Sequence, residues 1–137
     1  RRHAMQSKMQ AQAVSRVIHS GDWLTGKQVA DAASLHGVDL DSHPPHWTSD
    51  GLVFSISIHG EDHYPRYALD ADQRYRPLPA LKSILVAFGD WNGWAIAFWF
   101  DSPNSHLGGL CPKELLVLEP ERVLFAAESE VQGVGHG

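Results

Sequence analysis

The sequence predicts a mainly helical protein with one small β-hairpin, an α+β fold. Three observations carry that expectation. Apolar residues recur at helical spacing in several stretches, prolines stand where helices can open, and Phe54 to Ile58 alternates apolar residues with serine. A length of 137 residues suits one ordinary domain or two very small ones. With 43% hydrophobic and 20% charged residues, the chain can build a core and does not read as disordered.

In chain order, residues 1–20 read as a frayed helical lead-in, with Val14, Val17 and Ile18 as anchors. A firmer helix follows in WLTGKQVADAASLHG. Thr25 and Gln28 stand three apart, as a capping box requires, and Leu24 with Val29 would staple it. Gly37 is the natural stop. In VDLDSHPPHWTSDG a short helix can begin near Pro44 and Pro45. Phe54, Ile56 and Ile58 then make a half-buried strand, His59 to Asp62 a turn, and HYPRYAL a returning edge strand, because Pro65 cannot donate. Helix, short helix and hairpin in that order describe a winged helix-turn-helix-like unit over residues 21–75.

Beyond residue 76 the pattern is helical. Pro77 and Pro79 bracket a start, and Leu81, Ile84, Leu85 and Phe88 form a stripe ending at Gly89. Asp90 can cap WNGWAIAFWF, where Trp91, Trp94 and Phe98 share a face and Trp99 falls elsewhere. Part of this aromatic cluster is expected outside the core, since large aromatics are favoured interface anchors. Pro103 closes that helix, and Pro112 and Pro120 open two more. A small helical domain over 76–130 with a loose tail at 131–137 completes the expected organisation, and units this small can share a core.

Composition weighs against several function classes. Residues 1–70 hold six Lys/Arg against eight Asp/Glu, and residues 71–137 hold five against eight. Neither half has the basic surplus that drives binding to phosphate backbones. The helix that would enter a DNA groove lies within DLDSHPPHWTSD, which has three aspartates and no Lys or Arg. Lys27, Gln28 and Arg66 are the nearest DNA-binding candidates. Apolar runs fall far short of the ~20 residues of a membrane span, so no membrane role is expected. The single cysteine, Cys111, precludes an internal disulfide and fits a reducing cytoplasm.

Catalytic signatures are thin. Cys111 lacks a cationic neighbour in sequence and reads as a small core residue rather than a nucleophile. No phosphate-cradling loop and no nucleophile elbow occurs, so no enzyme activity and no cofactor are expected. His43 and His46, with His59 and His63, could supply four imidazoles to a metal. Stiff prolines part the first pair and a turn carries the second, so they read as loop histidines.

The segment AFWFDSPNSHLGGLCPKELL resembles the toxin-binding domain of Xre/MbcA/ParS-type antitoxins. The matching positions are Phe100, Pro103, Asn104, Leu107, Gly108, Gly109, Pro112, Leu115 and Leu116, and the likeness covers roughly residues 76–128. The front half is similar, more weakly, to a subgroup with a winged or MerR-like unit ahead of that domain, from which its acidic second helix departs. The resemblance implies a type II antitoxin that covers the active-site entrance of a RES-domain, NAD-consuming toxin. It also implies a homodimer with operator autoregulation. Trp99, Phe100, Asn104, Leu107, Gly108, Gly109, Pro112, Leu115 and Leu116 are the partner-binding candidates it yields. A transcriptional regulator or orphan binding domain without a toxin is the alternative.

Overall fold

The structure, a computed structural model, describes residues 2–35 and 44–135. The expected stop at Gly37, the acidic pair Asp39 and Asp41, and His43 lie outside them. Helix α1 (Arg2–Ile18) leads into strand β1 (Trp23–Thr25) and helix α2 (Gly26–Leu35). The expected frayed lead-in is therefore a continuous helix, held by Val17, which is buried, and by half-buried Val14 and Ile18. The capping box at α2 forms as its spacing requires. Thr25 N donates to Gln28 Oε1 at 2.8 Å, and Gln28 N donates to Thr25 Oγ1 at 3.1 Å. Leu24 and Val29 are both buried beneath it.

Helix α3 (Pro44–Ser49) precedes strands β2 (Ile56–Ile58) and β3 (Glu61–Pro65), which form the expected antiparallel hairpin. His59 and Gly60 both have positive φ, as a tight two-residue turn demands. Strand β2 is shorter than its alternation suggested. Phe54 leaves the ladder and stacks on Phe100, with ring centroids 5.7 Å apart.

The edge assignment of the returning strand is corrected: β3 is central, in the order β1-β3-β2. Arg66 N donates to Asp22 O, which makes Trp23 and Pro65 a non-hydrogen-bonded pair on the β1 side. The missing Pro65 donor thus faces the other flank, beyond the first residue of β2, and costs the ladder nothing.

A second, two-residue ladder joins β4 (Leu69–Asp70) to β5 (Arg76–Pro77) and closes the connection between the halves. Helices α4 (Ala80–Phe88), α5 (Gly93–Phe100), α6 (Pro112–Leu115) and α7 (Pro120–Gly135) follow. The result is mainly helical with a small antiparallel sheet, the α+β class expected. Three expectations for this half are revised. Asn92, not Asp90, caps α5, its side chain accepting from Ala95 N at 2.8 Å. Helix α7 runs on through most of the supposed loose tail, and Val131 packs against the core. Cys111 is only half-buried and acts as the cap residue of α6.

One core cluster runs through both halves. Phe54 and Tyr67 from the front meet Phe100 from α5, Tyr67 at 5.3 Å. Gly93 shows how close the halves lie, because a Cβ there would overlap the carbonyl oxygen of Ser55. Only a residue without a side chain lets α5 begin against that backbone.

Candidate functional site

The Leu-Gly-Gly loop between α5 and α6 is tied into one shape by Asn104. Its carbonyl accepts from Leu107 N at 3.0 Å and Gly109 N at 2.9 Å, and its amide donates to Leu110 O at 3.0 Å. Its side chain accepts from His106 N at 2.9 Å. Gly108 and Gly109 have φ of +66° and +86°, in the left-handed region where a Cβ is costly. A loop whose polar groups are spent on itself loses little freedom on meeting a partner.

Burial then separates the residues named from sequence. Trp99, Phe100, Leu107, Pro112, Leu115 and Leu116 are packed inside. The side chains of Phe100, Leu107, Pro112, Leu115 and Leu116 build the loop's foundation, which a partner meeting this conformation does not reach, while Trp99 is 7% exposed and lines the neighbouring cleft. Asn104 is half-buried, while Gly108 and Gly109 are exposed. The apolar side chains that stand in water are others. Leu110 lies in the loop, Val117 and Leu118 in the α6–α7 connection and Phe125 on α7, with Leu118 80% and Phe125 61% exposed. Val86 on α4 is also exposed.

No sequence pattern singled these residues out. The available signal was their excess: LLVL carries four apolar residues in a row at the end of α6, and only Leu115 and Leu116 of them are buried.

Beside the loop lies an open cleft of about 410 Å³, walled by Trp91, Phe98, Trp99, Pro103, His106 and Glu130. The expectation that part of the aromatic cluster stays outside the core is met at Trp91, Trp94 and Phe98, all half-buried. His106 joins the cleft to the exposed residues, since its ring meets Phe125 edge-on at 5.9 Å.

Lys113, on α6, secures this region to the front half. Its Nζ donates to Asp22 Oδ2 at 2.7 Å and to Asp101 Oδ1 at 2.5 Å. Burial alone would lower the Lys113 pKa, but the two carboxylates outweigh it and raise it above the ordinary value. Tyr67 is pushed up strongly by burial, with Asp22 and Asp101 adding to the shift. Its Oη, like Trp99 Nε1, is buried without a hydrogen-bond partner among the described residues.

Chemistry of other kinds finds little support. Burial raises the Cys111 thiol pKa, and Glu114 and Asp101 raise it further, which keeps it protonated and a poor nucleophile. Among the described residues, no group of three or more His, Cys, Asp or Glu could hold a metal. No described helix is long and apolar enough to cross a membrane. Of the DNA-binding candidates, Lys27 and Arg66 are exposed, whereas the Gln28 side chain is engaged in the α2 cap. Compared with protein-family models, curated proteins and solved structures, the chain finds no match.

Proposed function

We propose that this chain is an antitoxin-like partner protein, which binds and occludes a RES-type, NAD-consuming toxin through its C-terminal half. The observation that carries the reading is the set of exposed apolar side chains, Leu110, Val117, Leu118 and Phe125, in the same half of the chain as a loop tied together by Asn104. Apolar groups shown in water beside a pre-organised backbone are what a protein interface uses. The likeness of the loop's Pro-Asn and Leu-Gly-Gly pattern to the antitoxin family supplies the identity of the partner. A homodimer belongs to the same proposal and is read by light scattering.

The test is co-expression with the protein encoded next to this chain's gene. Restored growth and a complex that survives gel filtration are the expected results. Failure of both removes the antitoxin reading.

A second reading, a DNA-binding regulator, is favoured by the strand order β1-β3-β2 with α2 and α3 inserted between β1 and β2. That arrangement is consistent with a winged helix-turn-helix unit. Against it, residues 36–50 contain no Lys or Arg, so the helix that would meet phosphates has nothing to neutralise them. An electrophoretic shift at low salt on the gene's own promoter decides the point, and operator autoregulation stands or falls with it.

A further inference from the structure

The cleft beside the loop has a lining more particular than packing requires. Its volume of about 410 Å³ is within the roughly 300–1,000 Å³ of sites that hold small groups. Trp91, Phe98 and Trp99 line it, and aromatic rings attract cations through the negative lobes of their quadrupoles. Glu130 adds a carboxylate that makes no ion pair or hydrogen bond among the described residues. No Lys or Arg lines the cleft, and the chain's net charge is −5. An anionic ligand would meet repulsion there, and a purely apolar one would leave the carboxylate without a partner. A cation on an apolar stem suits both the carboxylate and the aromatic rings, and Ser102, Asn104 and Ser105 add neutral polar groups to the same lining.

The walls are also held in place. Trp91 packs on Phe88 with centroids 4.7 Å apart, and Trp99 meets the same ring edge-on at 5.0 Å. Such a site is formed before its ligand arrives, which lowers the entropy lost on binding.

We propose that this cleft receives an arginine side chain of the partner protein, its guanidinium lying against the aromatic lining and paired with Glu130. Arginine is favoured over lysine because its planar group stacks on aromatic faces while keeping its donors free for a carboxylate. The inference rests on the partner-protein reading above, and His106 provides the continuity. The same ring lines the cleft and touches Phe125, so a protein covering the exposed apolar side chains passes over the cleft mouth.

The test uses the full chain without its partner. Nα-acetyl-arginine amide and its neutral isostere, Nα-acetyl-citrulline amide, are titrated while the indole N–H resonances are followed by NMR. The arginine probe should saturate with a dissociation constant on the order of millimolar. Binding should weaken about fivefold or more with the citrulline probe, and equally in Glu130→Gln, whose exposed position leaves folding intact. No saturable response, or equal binding of both probes, overturns the proposal. Arginine binding that persists while the co-expressed neighbour is never captured overturns the partner reading instead, and leaves the chemistry of the cleft standing.

Discussion

Ahead of residue 76 the described chain leaves one large apolar side chain in water, Met9, whereas beyond it Val86, Leu110, Val117, Leu118 and Phe125 all stand exposed. The second half does not lack an interior. Phe100, Leu107, Leu115, Leu116 and Val123 fill it, and Ala126 and Ala127 let α7 approach closely. Its exposed residues are therefore surplus to folding, while nearly every large apolar side chain described in the first half is used by it. Stability accounts for the front of the molecule and only part of the back.

The hardest blow to both halves together should come from their seam. Gly93→Ala places a methyl group against the Ser55 carbonyl and should cost at least about 3 kcal/mol. Because one core spans the chain, urea denaturation should show one transition moved to lower midpoint. Two separate transitions would break the picture of a shared interior. Lys113→Met should cost about 1–3 kcal/mol, since it leaves Asp22 and Asp101 facing each other beside buried Tyr67. A loss confined to high salt sensitivity, with no change in midpoint, would show that the tether is superficial.

The comparison itself is sharpened by the double variant Leu118→Glu, Phe125→Glu. Its stability should stay within about 0.5 kcal/mol of the parent, because neither side chain is buried. Its affinity for the captured partner should fall tenfold or more, about 1.4 kcal/mol, by calorimetry. Equal affinity would mean that the exposed set is idle.

The smallest effect concerns pH. Tyr67 and Lys113 both have pKa values raised on folding, from 10.0 and 10.5, so relative to its deprotonated form each protonated group makes a contribution to stability that is complete below those values. That contribution is lost as pH climbs from about 10 through the higher folded values. Tyr67→Phe removes a buried hydroxyl without a partner, so it should be neutral or stabilising by up to about 1 kcal/mol at pH 7. It should also shift alkaline unfolding upward, as followed by circular dichroism.

What the sequence made legible was local. The Thr25–Gln28 cap, the opening prolines at Pro44 and Pro112, and the hairpin turn all depend on residues a few positions apart. What it hid was distant in sequence. Strand β1 pairs with β3 across some forty residues, which promoted Pro65 from an edge to the middle of a sheet. The preference of α5 for Asn92 over Asp90 follows from Gly93 having to lie against Ser55. Helix α5 is apolar on every side, so periodicity offers no contrast by which Trp99 and Phe100 could be assigned to the interior. For the same reason the family-like motif pointed to residues that support the loop, while the side chains beside it that meet solvent went unnoticed.

The bond from Lys113 to Asp22 spans ninety-one positions, and it makes the halves poor candidates for separate inheritance. A recombinant that exchanged everything before residue 69 would also have to bring an acid in the turn ahead of β1. It would further need a strand lead-in able to tolerate α5 at touching distance. Lineages carrying this pair of halves should therefore change them in concert, with the seam acting as a filter on which fusions survive.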